Sequence, residues 1–168
     1  MTVEIDFPAK VSFERLYTRI ATPHDLDSVV ALINDAFLDE NKFARGVRTN
    51  TDEIKSHMQK GHFLLFEEEK QILGVIYAEI RGNSPGYLGL LAVDPKMRRR
   101  GLGKELLRAG EQFCLERGCR TVEGTVVSLR TDLLERYMRR GYRVTGQFSL
   151  DHPSLGGKRD LVRVEKDL

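Results

Sequence analysis

The chain has 168 residues, 40% of them hydrophobic and 31% charged, with a formal net charge of +2. This balance supports one buried core and excludes a disordered chain, while so small a charge provides no general field for nucleic acid, so any anion binding must come from local clustering. No apolar run approaches a membrane span, and MTVEIDFPAK carries acids where a signal peptide needs a basic start, so the chain reads as one domain over residues 1–168, cytoplasmic, with no membrane or nucleic-acid partner.

FERLYTRIA, residues 13–21, predicts a first strand. Thr22 then reads as an N-cap, with Pro23 at the first helical position and Leu26, Val29, Val30, Ile33 and Phe37 at helical spacing. A polar loop over residues 38–50 leads to a shorter helix that starts near Asn50 or Thr51 and stops at Gly61. Residues 62–80 predict a hairpin of two strands around a tight charged turn, followed by the turn RGNSPG. YLGLLAV, residues 87–93, is a near-continuous apolar run, as a strand covered on both faces requires. The next helix buries Leu102, Leu106, Leu107, Gly110, Phe113 and Cys114 on one stripe and ends at Gly118. TVEGTVV follows as a strand, making a parallel strand–helix–strand crossover. A fourth helix over residues 131–140 presents Leu133, Leu134, Tyr137 and Met138 inward and stops at Gly141, and residues 142–148 and 161–168 supply two last strands. The expected class is α/β: a mixed, mostly antiparallel sheet with one parallel unit and helices on both faces.

Cys114 and Cys119 are the only cysteines, and their spacing fits neither a redox pair nor a zinc site. His24, His57, His62 and His152 are scattered, so no metal is expected.

The stretch VDPKMRRRGLGKELL packs three arginines against Gly101-Leu102-Gly103 between a buried strand and a helix. KMRRR alone reads as a solvated basic turn. Followed by Gly-x-Gly at a helix N-terminus, it reads as a phosphate cradle: unpaired N–H groups and the helix dipole meet the charges of Arg98, Arg100 and Lys104, and glycine lets a ligand approach. Glu105 stands where a Walker loop needs Ser or Thr, and Leu106 where a dinucleotide-binding turn needs its third glycine.

The spacing Arg98-x-x-Gly101-x-Gly103, after LLAVDP and before KELL, resembles the signature [RQ]-x-x-G-x-[GA] of the GNAT family of N-acetyltransferases. VVSLRTDLLERYMRRGYRVTG resembles a second family region, with Tyr137 to Tyr142 as its Y-x-x-x-G-[FY]; Ser128 stands where many members carry Asn. The likeness is most specific over residues 87–146. It implies the acyl-CoA N-acyltransferase fold, with the fourth and fifth strands splayed around acetyl-CoA as cosubstrate. It also implies a cofactor site in which main-chain groups of Leu91, Ala92 and Val93 pair with the pantetheine arm, and Arg98, Arg99, Arg100, Gly101, Leu102, Gly103 and Lys104 hold the pyrophosphate. It makes Tyr137, otherwise a plain core residue four positions from Leu133, the acid that protonates the leaving thiolate. An alkylamine must lose a proton before it attacks. Glu79 is the first candidate base and Glu123 the second, with His62, His152 and a water chain behind them.

The expected activity is acetyl transfer to a primary amine, the partner being a small molecule that meets residues 38–49, 81–87 and 151–157. The alternatives are a protein N-acetyltransferase and a coenzyme-binding sensor without turnover. Arg136, Arg139, Arg140 and Arg143 sit near Glu135 and read as an exposed helix face rather than a DNA reader. A homodimer through the C-terminal strands follows from the resemblance.

Overall fold

The computed structural model describes residues 17–38, 47–82 and 85–168. Its strands are β1 (Tyr17–Ile20), β2 (His62–Glu68), β3 (Gln71–Ile80), β4 (Gly86–Val93), β5 (Thr121–Val127), β6 (Arg143–His152) and β7 (Gly157–Asp167), and its helices are α1 (Leu26–Phe37), α2 (Thr51–Lys60), α3 (Leu102–Glu116) and α4 (Thr131–Arg139). The strands form one sheet in the order β1-β2-β3-β4-β5-β7-β6. Every pairing is antiparallel except that of β4 with β5.

Residues 13–16 of the expected first strand lie outside the described residues. Thr22 caps a short 3-10 turn rather than α1 itself: Asp25 Oδ2 accepts from the Thr22 amide at 2.7 Å, and α1 follows at Leu26. Asp25 also binds Arg19 on β1 through both carboxylate oxygens, and Arg19 reaches Glu67 on β2. These bonds pin the start of α1 to the sheet, and the Arg19 guanidinium holds the Asp25 carboxyl well below the usual range. Asn50 caps α2 by accepting from the Glu53 amide at 3.0 Å. The turn between β2 and β3 places Glu69 and Lys70 both at positive φ, the geometry that matches hairpin twist.

The two faces have separate cores. α1 and α2 bury Val29, Leu32, Ile33 and Ile54 against Phe63, Leu65, Val75 and Tyr77. α3 buries Leu102, Leu106, Leu107, Phe113 and Cys114 against Leu64, Phe66, Ile76, Leu88 and Val122. The continuous apolar reading of the middle strands follows from this double cover. Cys114 and Cys119 are both buried and reduced, and burial pushes the Cys114 thiol up to about 12.

Two expectations are corrected. Met138 is 56% exposed rather than inward, because the packed stripe of α4 is Leu133, Leu134 and Tyr137, and Met138 lies about 100° past Tyr137 at the helix rim. The last hairpin is longer than expected: β6 runs to His152 and β7 starts at Gly157, so residues read as loop pair across the sheet edge. That hairpin is mostly exposed, which removes the apolar alternation that would have marked it.

Where β4 still pairs with β5, α3 lies so close that a Cβ on Gly86 would meet Cys114 Sγ at 2.5 Å and Cys114 Cβ at 2.9 Å. Gly86→Ala is therefore expected to lower unfolding free energy by about 1–3 kcal/mol through overpacking, read as a lower denaturation midpoint in urea.

Candidate active site

The site begins with a break in strand pairing. β4 and β5 pair only at Gly86↔Val122 and Tyr87↔Glu123. Gly124 allows the last close approach, since a Cβ there would stand 3.1 Å from the Leu88 carbonyl oxygen. Beyond that point the strands part. On the other side of β4 the register passes from Tyr77↔Gly89 to Val75↔Ala92, so Leu90 and Leu91 together oppose Ile76. This is a β-bulge, with Leu90 at φ 47, and a bulge bends its strand and leaves a residue's backbone outside the ladder. It also resets the alternation. Leu90 and Ala92 face α1, while Leu91 and Val93 join Leu88 beside α3.

The parting strands bound a cleft of about 1320 Å³, lined by residues 88–93 of β4 and Thr125, Val126 and Val127 of β5. A drug-sized ligand fills roughly 300–1,000 Å³, so this cleft has room for a longer molecule or for two.

One end of the cleft is the arginine–glycine turn. Arg98 is extended, Arg99 lies at φ 63 and Gly101 at φ 85. Left-handed residues alternating with others turn successive amides toward one point, an anion nest. α3 starts at Leu102 with no side-chain cap, and its first amides, those of Leu102 and Gly103, have no intrahelical acceptor. A Cβ on Gly101 would meet nothing within 4 Å, so the space above the nest is open. Arg98, Arg99 and Lys104 line this end. Arg98 also donates to the Ala36 carbonyl at the end of α1, joining the turn to the opposite face. Arg100 is not part of the lining: the short turn Pro95–Met97 sends its guanidinium back to Met97 Sδ at 3.4 Å.

The second wall comes from α4. Arg130, Arg136 and Arg140 line the cleft beside Leu133 and Tyr137. Sequence reasoning placed Arg136 and Arg140 on a solvated face; their spacing of four, flanking Tyr137, was the available signal. Arg139 does pair with Glu135, and Arg143 with Glu165 and Asp167, on the exposed surface.

Tyr137 stacks edge-on against Tyr142 with ring centroids 5.0 Å apart. The Tyr142 hydroxyl donates to Glu111 at 2.8 Å, and Lys166 Nζ holds the other oxygen of Glu111 at 2.8 Å. The Tyr137 ring is thus braced from behind. Its hydroxyl makes no hydrogen bond among the described residues, and burial pushes it up to about 12, so it is a protonated donor at neutral pH.

Glu79 and Glu123 do not line the cleft. Glu79 accepts from the Tyr77 hydroxyl at 2.7 Å and from Arg81 Nε at 3.0 Å, and Arg81 reaches Glu123 at 3.3 Å. Burial alone would raise the Glu79 carboxyl, but the bonds from Arg81 and Tyr77 outweigh it and hold it below its usual range, which weakens it as a base. His62 packs against Phe113 on the α3 face, while His152 lines the cleft from the end of β6. Ser128 gives its amide to the Asp160 carbonyl at 2.9 Å and borders a separate cavity of about 290 Å³.

On the α1–α2 side the cleft is lined by Phe37, Arg48, Thr49, Glu53 and His57, and Tyr87 and Leu155 also line it. Parts of the expected acceptor segments, residues 39–46 and 83–84, lie outside the described residues. Glu53 and His57 were missed, because TDEIKSHMQK reads only as an amphipathic helix. No group of three metal-binding side chains occurs among the described residues.

The sequence model of the acetyltransferase (GNAT) family matches residues 26–142. No curated protein matches the chain. Among solved structures it is similar to the ribosomal-protein-alanine N-acetyltransferase from Brucella melitensis, at 20% identity and a TM-score of 0.70, covering 90% of this chain and 99% of that one. It is also similar to the IAA acetyltransferase from Bacillus cereus, at 16% identity and 0.68, covering 91% and 99%. A GNAT family acetyltransferase from Elizabethkingia anophelis with acetyl-CoA bound matches at 16% identity and 0.66, covering 92% and 99%.

The nest supplies a test. Gly101→Val forces a β-branched residue to φ 85 and fills the open space above the amides. Calorimetric binding of coenzyme A is expected to weaken at least about tenfold, or ~1.4 kcal/mol.

Proposed function

Because the chain belongs to the GNAT family of acetyltransferases, acyltransferases that use acetyl-CoA, we propose that it transfers the acetyl group of acetyl-CoA to a primary amine on a small molecule. The observation that carries this reading is the slot between β4 and β5, with an anion nest at one end and, in its wall, the protonated Tyr137 hydroxyl, unpaired among the described residues.

The donor set fits the coenzyme. The amides of residues 101–103 receive its pyrophosphate, and Arg98, Arg99, Lys104, Arg136 and Arg140 surround its phosphates with positive charge. Main-chain groups of Leu91, Ala92 and Val93 pair with the pantetheine arm. When bound, the coenzyme supplies an activated acyl thioester. The Leu91 amide, in the bulge of β4, is the donor that would stabilise the oxygen on which charge develops.

Tyr137 donates to the sulfur. A phenol near 12 transfers its proton only uphill to a thiolate whose conjugate thiol lies near about 8.5. Its contribution is a hydrogen bond that strengthens as the thiolate forms. Cys114 is buried on the inner stripe of α3 with its thiol pushed up, so orientation of two bound substrates replaces a thiol relay. On the α1–α2 side, Arg48, stacked over Phe37, and Glu53, which accepts from the Thr49 hydroxyl, put both signs of charge in the lining, which suits a small amine carrying an anionic group.

Thiol release from acetyl-CoA across a panel of small amines and N-terminal peptides tests the assignment. Turnover with small amines supports it, turnover with peptides alone makes the chain a protein acetyltransferase, and binding without turnover makes it a sensor. Tyr137→Phe is expected to keep coenzyme affinity within about twofold and lower kcat about a hundredfold. The group acts while protonated, so its contribution holds through pH 10 and fades only as pH nears about 12. The open edge of β6 is where a second copy would pair, and sedimentation velocity is expected to read a dimer.

A further inference from the structure

We propose that His57 is the general base of the transfer, its Nε2 taking the proton of the acceptor ammonium. The proposal rests on the acetyl-transfer reading and supplies the base which that reading lacks.

The chemistry starts from the tautomer. His57 Nδ1 lies 2.7 Å from the Glu53 carbonyl oxygen. A carbonyl only accepts, so Nδ1 carries the hydrogen, and in the neutral ring the lone pair is left on Nε2. The ring is held in place by Tyr77, perpendicular to it with centroids 4.8 Å apart, and by Phe63 at 6.3 Å. Tyr77 in turn pairs across the sheet with Gly89, the residue before the bulge at Leu90. His57 thus stands over the point where β4 turns away from the ladder, on the face opposite α3, and it lines the cleft.

Its neighbours suit the task. Glu53, one turn earlier on the same helix face, lines the cleft as a carboxylate that draws an ammonium toward His57. The neighbouring cluster holds Tyr77 from β3, Glu79 behind the Tyr77 hydroxyl with Arg81 and Lys60 acting on it, and Tyr87 from β4, whose ring lies 6.4 Å from Tyr77. Glu79 and Glu123 are committed to Arg81.

The protons balance. An ammonium and the thioester yield an amide, a thiol and one proton. His57 Nε2 takes the first proton from the ammonium and returns it to solvent. The amine nitrogen then bonds to the acyl carbon, the carbon–sulfur bond breaks, and the second nitrogen proton ends on sulfur.

His57→Asn retains an N–H for the Glu53 carbonyl and removes the basic nitrogen. With the most active amine of the panel, kcat/KM near pH 7 is expected to fall about a hundredfold at unchanged coenzyme affinity. The gap should close to about threefold near pH 10.5, where an alkylamine with a pKa of about 10 is mostly neutral without help. An undiminished rate near pH 7 overturns the proposal, as does a deficit that persists unchanged at high pH, which is the mark of mere positioning. A pH-dependent deficit in Glu53→Gln with none in His57→Asn gives the role to Glu53 and also overturns it. Nitrogen-15 NMR of the wild-type protein alone is expected to show the Nδ1–H tautomer; an Nε2–H tautomer overturns it whatever the activity. A wild-type protein that binds acetyl-CoA and acetylates no amine overturns the transfer reading and this role with it.

Discussion

Everything at the site follows from two neighbouring strands that stop pairing. A parallel pair that kept its ladder would leave no space between β4 and β5, and the sheet would separate its two faces completely. Here pairing ends after Tyr87↔Glu123, and the extra residue at Leu90 bends β4 away. The bulge lies where β4 borders the open cleft. The sheet tolerates the break because both cores are anchored elsewhere, by α3 on Leu88 and Val122 and by α1 and α2 on Val75 and Tyr77.

The break gives each face its own task. The α3 side carries the anion nest, the cationic rim and Tyr137. The α2 side carries Glu53 and His57. On the proposed reading, a coenzyme held at the nest and laid along β4 would cross from the first side to the second at the bulge. Arg98 reinforces that division of labour, because its guanidinium ties the nest to the last turn of α1. Charge is divided in the same way: Arg98, Arg99 and Lys104 line the nest, while Arg48, Glu53 and His57 line the α1–α2 side.

The network behind Tyr137 serves the same geometry. Tyr142 just before β6, Glu111 of α3 and Lys166 of β7 form one connected set that braces the Tyr137 ring of a helix with no fully buried residue. α4 alone has little core to hold it, so polar bracing supplies what packing does not.

By itself the sequence determined the elements that apolar periodicity and turn chemistry encode: the crossover through α3, the hairpin of β2 and β3, and the glycine-bearing helix start at Gly101. These are local signals, and a nest at a helix N-terminus is built from consecutive residues. The tertiary structure alone decided which polar side chains meet. Glu79 looked available because its strand was right, yet the Tyr77 hydroxyl and Arg81, two residues along, claim its carboxylate, and Arg81 ties it to Glu123 on β5. Arg136 and Arg140 looked solvated until α4 was laid along the cleft. His57 carried no signal in an ordinary amphipathic helix, since its meaning comes from Tyr77, Gly89 and the bulge, distant in the chain and joined only by strand register. Local backbone chemistry can be read along one dimension, but the partners of a charged or titratable group are a property of the folded arrangement.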